Sequence, residues 1–288
     1  MNYRKRFRVA PDHRVSLSRM DPGDTAGVRD KDKARDQLVK GVERLERLQD
    51  RLYAQDTWAV LVIFQGMDAA GKDSTIKHVM SGVNPQGCQV FSFKAPSPEE
   101  LDHDYLWRTV RALPERGRIG IHNRSYYEEV IVTRVHPEIL LRERVPHLKP
   151  GRALWEQRFR EINHFERYLV DNGVAVVKFF LHLSKNEQRR RFLERLEEPE
   201  KLWKFQPGDL NERDRWPAYQ DAYAEALRNT SSSWAPWYVV PADHKWFTRL
   251  AVADILCDTL ADLDLKYPVL NKAERAEREK LRKALERK

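Results

Sequence analysis

Two hydrophobic patterns alternate along the chain and predict strands that are followed by helices. Short apolar runs, typical of buried parallel strands, lie at residues 59–64, 89–93, 118–122, 174–183 and 237–240. Helical periodicity and capping signals predict helices over residues 36–54, 73–79, 98–113, 152–170, 185–199, 217–228 and 243–263. This alternation predicts an α/β fold, with a parallel sheet covered by helices on both faces.

The sequence divides into three parts: an N-terminal arm, a central domain and a C-terminal tail. Residues 1–35 are punctuated by Pro, Gly and Asp without a sustained period, and predict an irregular N-terminal arm. Residues 36–270 are interpreted as a single domain, with a helical lid inserted at about residues 185–220. Residues 271–288 carry charges at helical spacing and predict a helical tail, either solvated or in an oligomer contact.

The first strong strand leads into Gly66-Met-Asp-Ala-Ala-Gly-Lys and then into a predicted helix. The spacing G-x-x-x-x-G-K is typical of a phosphate-binding loop, where backbone N–H groups converge on an anion at the positive end of the helix. The sequence therefore predicts a phosphate site in which Lys72 adds a point charge. Its predicted residues are Gly66, Ala69, Ala70, Gly71, Lys72, Asp73, Ser74 and Thr75.

Two acidic residues set this loop apart. Asp73 follows Lys72, where a Ser or Thr that binds Mg²⁺ is usual, and Asp68 lies inside the loop. A carboxylate that faces phosphates is repelled unless a cation lies between them, so we predict that Asp68 is a Mg²⁺ ligand, with Mn²⁺ as an alternative metal. In the other interpretation, Asp68 points outward and stabilises the turn.

Composition narrows the class of partner. The 288 residues are 41% hydrophobic, which is enough for one sizeable core. The net charge of +8 suits an anionic partner, whether nucleic acid, an acidic membrane or a phosphate-rich substrate.

Cys88 and Cys257 lack pairing or ligand spacing, which favours reduced thiols and a cytoplasmic location. No segment reaches membrane-spanning length, so no membrane contact is expected.

Five motifs, in one order, resemble the polyphosphate kinase 2 family. They are Gly66-Met-Asp-Ala-Ala-Gly-Lys, Asn123-Arg-Ser-Tyr-Tyr, Glu187-Gln-Arg-Arg-Arg-Phe, Lys201-Leu-Trp-Lys and Ala235-Pro-Trp. The resemblance extends over about residues 36–262. It implies a three-layer α/β/α P-loop kinase fold with a helical lid, and a homo-oligomer, either a dimer or a tetramer. It also implies Mg²⁺-dependent transfer of phosphoryl groups between inorganic polyphosphate and nucleotides.

The second motif departs from the pattern of many members, which have Asp where this chain has Asn123. That change removes a presumed metal ligand, and Glu128, one helical turn later, restores the charge. Asn-Arg-Ser-Tyr-Tyr-Glu-Glu resembles the class III branch, whose members phosphorylate both AMP and ADP. We therefore expect adenine nucleotides as acceptors, with guanine nucleotides as further candidates, and Asp68, Asn123 and Glu128 as the metal site.

The implied phosphoryl transfer requires charge neutralisation rather than a general base. The acceptor oxygen of AMP or ADP is already anionic at neutral pH, so catalysis rests on alignment and on neutralising the transferred phosphoryl group. Lys72, metal-bound Asp68 and two arginines, Arg124 and Arg191, suit that task. The alternatives are a surface position at a helix start for Arg124 and a solvated face for Arg191.

Other polar residues near these motifs carry weaker signals. Lys77, Lys201 and Lys204 are candidates for a track that binds a long phosphate chain, although each is equally well explained as a solvated lysine. His122 and His136 are interpreted as structural.

Two other functions fit part of the sequence. An ATP-dependent nucleoside monophosphate kinase would use the same loop and an arginine-bearing lid, but it explains the basic excess less well. A basic nucleic-acid-binding P-loop protein fits the pI of about 9.4. The chain has no RNP-like strand, helix-turn-helix signal or zinc spacing, so no nucleic-acid partner is expected.

Overall fold

A parallel sheet forms the centre of the computed structural model, which describes residues 2–11, 13–146 and 148–287, with the backbone but not the side chain of Lys204. Within those residues the sheet has five strands in the order β2-β3-β1-β4-β5. They are β1 (Ala59–Gln65), β2 (Cys88–Ser92), β3 (Ile119–Asn123), β4 (Val174–His182) and β5 (Trp237–Pro241). All four pairings are parallel, as the sequence predicts.

Helices cover both faces of this sheet. Their bounds are α1 (Tyr3–Phe7), α2 (Lys31–Gln55), α3 (Lys72–Val79), α4 (Pro98–Leu101), α5 (Trp107–Val110), α6 (Glu128–Val135), α7 (Pro137–Leu140), α8 (Arg152–Asp171), α9 (Lys185–Glu197), α10 (Gly208–Asp214), α11 (Trp216–Thr230), α12 (Lys245–Ala261) and α13 (Lys272–Glu286). Apolar residues of α1, α2, α3 and α12 join one hydrophobic cluster, and those of α6, α8 and α11 join another.

Strand β1 shows why the fold has three layers. All seven of its residues are buried. Val60, Val62 and Phe64 belong to the first hydrophobic cluster, whereas Leu61 and Ile63 belong to the second. Because side chains alternate between the faces of a strand, a strand with consecutive apolar residues from Ala59 to Phe64 needs a cover on both sides. The predicted three-layer α/β/α fold is confirmed.

The N-terminal arm is more ordered than the predicted irregular segment. Tyr3 and Phe7, one turn apart on α1, are buried with ring centroids 5.5 and 5.9 Å from that of Phe247. Val9 donates a hydrogen bond to the Trp237 carbonyl, so the arm also covers β5. Two apolar residues in a five-residue helix are too few to show a period, which explains the error. The helix predicted from residue 36 begins earlier, at Lys31, with an Asp30 cap.

Two predicted helix boundaries are also wrong. The helix expected over residues 98–113 is split into α4 and α5, because Asp104 accepts a hydrogen bond from the Leu106 N–H and competes with helix formation. Asp243 does not cap α12, which begins at Lys245. Its carboxylate instead accepts a hydrogen bond from the Ser184 N–H at the start of α9.

The lid region and the tail are both helical. Residues 185–220 contain α9, a 3-10 helix (Pro199–Lys204), α10 and the start of α11. In the tail, α13 has no buried residue. Among the described helices, none is both long enough and apolar enough to cross a bilayer.

Candidate active site

The phosphate loop and the second motif meet at the carboxyl ends of β1 and β3, where Phe64 is paired with Asn123. Ligands of open parallel sheets bind at this edge. Gly66 starts the loop at φ +154°, and a Cβ there would lie 2.9 Å from the Leu181 carbonyl oxygen. Gly71 caps α3 in the left-handed region, at φ +97°. Gly66 is thus required because a side chain would clash with the Leu181 carbonyl, and Gly71 is required because its φ angle is unfavourable for other residues.

Lys72 folds back over this loop. Its Nζ atom donates to the carbonyl oxygens of Gly66 (2.7 Å) and Met67 (3.3 Å), and only 8% of the residue is exposed. Burial, followed by the charge of Arg124, lowers the pKa of the Lys72 ammonium to about 8, although nearby carboxylates oppose this shift. The ammonium is therefore held where a phosphate would stabilise its charged form.

Arg124 connects the loop to the second motif. Its backbone is left-handed (φ +66°), and its N–H donates to the Phe64 carbonyl. The guanidinium pairs with Asp68 (Nη2 to Oδ1, 2.8 Å) and with Glu128 (Nη1 to Oε2, 3.2 Å). The two carboxylates, Glu128 foremost, raise the Arg124 pKa. The structure thus brings together three predicted site residues, Asp68, Arg124 and Glu128.

Asn123 belongs to a different set of contacts. Its Nδ2 atom donates to the Asp73 carboxylate (2.6 Å) and lies 3.5 Å from the Ser92 hydroxyl. These contacts therefore join Asn123 to Asp73 and Ser92, and not to Asp68 and Glu128 as predicted. Within the described ranges, no three His, Cys, Asp or Glu side chains are grouped so that they could hold a metal ion.

Arg191 departs most from its predicted role. It is 3% exposed, so it does not lie on a solvated face. Its Nε donates to Glu187 (2.8 Å), its Nη1 to the carbonyls of Ala69 (2.8 Å) and Ala70 (3.2 Å), and its Nη2 to those of Ala242 (2.6 Å) and Asp243 (3.1 Å). A guanidinium has five N–H groups, and these contacts use all of them. The predicted direct contact with phosphate does not fit this arrangement.

The candidate lysine track is not assembled by the described contacts. Lys77 is exposed on α3, and Lys201 pairs with Glu194 (3.2 Å) and Glu198 (2.6 Å). The side chain of Lys204 lies outside the described part of the structure. In the loop itself, Ser74 donates to the Gly71 carbonyl (3.0 Å), and Thr75 is buried.

A cleft of about 820 Å³ opens beside Asp68 and Arg124. Cavities of this size accommodate small-molecule cofactors. The α9–α11 region contributes to its walls with Arg195, Gln206, Asp209, Glu212 and Tyr219. The segment predicted to form a lid and the phosphate loop therefore border the same cleft.

A buried network that the sequence did not indicate supports the second motif. Tyr126 and Tyr127 each donate a 2.7 Å hydrogen bond to Glu166. Lys178, fully buried in β4, pairs with Glu166 and donates to the Thr230 carbonyl (2.7 Å). Burial lowers the Lys178 pKa, although Glu166 opposes that shift. The available signal was a lysine within the otherwise apolar run at residues 174–181.

The two histidines near the site have protein partners. His122 Nε2 contacts the Ala112 carbonyl at 3.0 Å, and burial lowers its pKa to about 4, so the ring is neutral at physiological pH. His136 lies between Glu138 (3.0 Å) and Glu212 (2.9 Å), and so links α7 to α10. These contacts support the structural interpretation of both residues.

A glycine-bounded loop after a buried strand, a lysine folded into it and a nearby arginine are features typical of P-loop phosphotransferases. The family model described as Polyphosphate kinase 2 (PPK2) matches residues 28–268. The chain belongs to the polyphosphate kinase 2 family.

Two relatives match over nearly their whole length. An ADP-polyphosphate phosphotransferase of Rhodopseudomonas palustris is 52% identical over 98% of this chain and 98% of its own. An AMP/ADP-polyphosphate phosphotransferase of Meiothermus ruber is 47% identical over 92% of this chain and 95% of its own. The crystal structure of polyphosphate kinase 2 from Arthrobacter aurescens TC1 superposes with a TM-score of 0.89 at 38% identity, covering 98% of this chain and 97% of that one.

The lowered pKa of Lys72 predicts how phosphate binding depends on pH. Above a pH of about 8 most of the ligand-free protein has a neutral Lys72, so binding must be accompanied by proton uptake. We expect the association constant for tripolyphosphate, measured by calorimetry, to fall as the pH rises above that value. The slope of the fall should approach about tenfold per pH unit.

The Lys72→Arg variant is the control, because its guanidinium stays charged across this range and ligand titration is the same for both proteins. Its association constant should stay nearly constant between about pH 7 and about pH 9.5. An alkaline decline of equal size in both proteins would rule out Lys72 as the titrating group.

Proposed function

We propose that this enzyme transfers phosphoryl groups from inorganic polyphosphate to AMP and to ADP, giving ADP and ATP. The observation that carries the proposal is the joining of a phosphate loop to the Asp68–Arg124–Glu128 cluster, in a chain of this family. Polyphosphate-driven nucleotide phosphorylation is supported by both named relatives. The breadth over AMP and ADP is the finer part of the proposal, and it is supported by the name of the Meiothermus ruber relative.

The site chemistry suits an acceptor that needs no base. The terminal phosphate of AMP or ADP is anionic at neutral pH, so its oxygen is already a nucleophile. The backbone N–H groups at the start of α3 and the Lys72 ammonium would hold the phosphate that is attacked or the one that leaves. Arg124 borders the cleft and offers a forked cation to an incoming phosphate, in exchange for its carboxylate partners.

The proposal includes Mg²⁺, and Mn²⁺ as a substitute. Asp68 and Glu128 border the cleft beside the loop, and carboxylate oxygens are the ligands that Mg²⁺ prefers. Mg²⁺ is commonly held by one or two carboxylates together with substrate phosphates, so these residues fit although they form no complete metal cage. When bound there, the ion would neutralise charge on the phosphates. Asn123 and Asp73, which contact each other, form a separate polar pair.

Location and assembly complete the proposal. Cys88 and Cys257 are both free, which supports a reducing cytoplasmic environment. We also propose a homo-oligomer, with the exposed helix α13 as a candidate contact surface.

An ATP-dependent nucleoside monophosphate kinase has less support, because the family match covers residues 28–268.

One incubation tests the activity. Purified protein, Mg²⁺, long-chain polyphosphate and either AMP or ADP are combined, and the nucleotides are separated by ion-exchange chromatography. We expect AMP to give ADP and then ATP, and ADP to give ATP, because the same loop can hold either donor chain or acceptor. Addition of excess EDTA should stop both reactions.

Two outcomes would change the assignment. Phosphorylation of ADP but not of AMP would remove the proposed breadth and leave the polyphosphate kinase activity. No nucleotide product from polyphosphate, together with turnover of ATP and AMP, would favour the nucleoside monophosphate kinase instead.

Asp68 has a separate test. We expect Asp68→Asn to lower kcat/KM by about a hundredfold and to raise the Mg²⁺ concentration needed for half-maximal rate, because the amide loses the charge that attracts the ion. Asp36→Asn, on the exposed face of α2, is the matched control and should behave as the wild type. An Asp68→Asn enzyme with full Mg²⁺-dependent turnover would show that this carboxylate only stabilises the turn.

A further inference from the structure

Three consecutive carbonyl groups of the phosphate loop are bonded to two side chains of α9. Gln188 Nε2 donates to the Asp68 carbonyl (3.0 Å), and Arg191 Nη1 donates to those of Ala69 (2.8 Å) and Ala70 (3.2 Å). We propose that Gln188 and Arg191 are positioning residues that set the direction of the loop's peptide groups without touching phosphate. The proposal rests on the proposed function only for its kinetic test.

Peptide geometry explains how such contacts act at a distance. The C=O and N–H of a trans peptide point in opposite directions. Holding the carbonyls of Asp68 and Ala70 therefore also fixes the N–H groups of Ala69 and Gly71 on the other side of the loop. The carbonyl of Ala69 shares its peptide with the Ala70 N–H, which closes the turn onto the Met67 carbonyl at 3.1 Å.

The loop needs this support because of its backbone conformation. Ala69 has φ +61°, a left-handed conformation that is unfavourable for any residue with a Cβ. Gln188 and Arg191 are three positions apart on α9, so they share one face of the helix. Both are buried, at 1% and 3% exposure. Water therefore cannot easily replace their hydrogen bonds to the loop.

The same two side chains tie the loop to other elements. Arg191 also donates to the carbonyls of Ala242 (2.6 Å) and Asp243 (3.1 Å), just after β5. Gln188 Oε1 accepts a 3.0 Å hydrogen bond from Arg213 of α10, in the lid region. The loop is therefore held against the end of the sheet on one side and connected through Gln188 to the lid on the other.

A phosphate-binding Arg191 is the competing interpretation, and Gln188 separates the two. Gln188 carries no charge, so its loss cannot remove a cation from the site. If both residues act by holding carbonyls, then replacing either one should loosen the loop. If Arg191 instead binds phosphate through its forked guanidinium, which lysine cannot replace, then only the Arg191 variant should be affected.

The test compares Arg191→Lys and Gln188→Met with wild type, with Asn186→Ala as an exposed control on the same helix. Hydrogen exchange, followed by mass spectrometry, is measured on peptides that span residues 65–76 without substrate. We expect exchange about tenfold faster or more in both test variants and unchanged in the control, because loop opening no longer breaks these bonds. The KM for polyphosphate should rise about tenfold or more, and kcat should change less.

Three results would overturn the proposal. The first is wild-type loop exchange in both test variants. The second is a wild-type Gln188→Met enzyme beside an Arg191→Lys enzyme that loses only kcat, which would assign Arg191 to the transferred phosphoryl group. The third is faster exchange across all of α9 and β4 rather than in the loop, which would indicate general destabilisation. If Arg191→Lys does not fold, Gln188→Met decides. The exchange result stands even if polyphosphate is not the substrate.

Discussion

The site depends on the direction of a few peptide groups at the turn between β1 and α3. A backbone anion site works only if successive N–H groups point the same way, and the carbonyls must then be satisfied on the opposite side. Here the turn is confined by the Leu181 carbonyl, which leaves no room for a Cβ at Gly66. On the outer side, α9 supplies hydrogen-bond donors to the carbonyls of residues 68–70. If Gln188 and Arg191 act as proposed, the loop is preorganised, and phosphate binding would not have to order it.

Charge around the loop is balanced rather than simply positive. Although the whole chain has a net charge of +8, Arg124 is paired with both Asp68 and Glu128, and burial shifts Lys72 toward its neutral form. Such a site does not present an unscreened cation to solvent. On phosphate entry its positive charge would become available, because the anion would stabilise charged Lys72 and compete for Arg124. The buried Lys178–Glu166 pair holds Tyr126 and Tyr127, and so fixes the backbone from which Arg124 and Glu128 project.

The sequence predicted the parts of this arrangement that are local. An unbroken apolar run marked β1, and the spacing from Gly66 to Lys72 marked the loop, because both depend on neighbouring residues. The partners of Arg191 were not predictable in this way, since its contacts to Ala69 and Ala70 join positions more than 120 residues apart. Sequence periodicity alone places Arg191 on a helix, but it does not show which face of that helix contacts the loop. Asn123 was misplaced for the same reason, as its partner Asp73 lies fifty residues away. The resemblance to a family supplied the substrate class, which no local pattern contains.

A structure determined with ADP, Mg²⁺ and a short polyphosphate would show whether the loop between β1 and α3 binds phosphate in its present conformation. We expect phosphate oxygens at hydrogen-bonding distance, roughly 3 Å, from the N–H groups at the start of α3 and from Lys72 Nζ, with the carbonyls of residues 68–70 still bonded to Gln188 and Arg191. Phosphates bound elsewhere in the cleft, or a loop that rebuilds its peptide directions to receive them, would contradict this expectation.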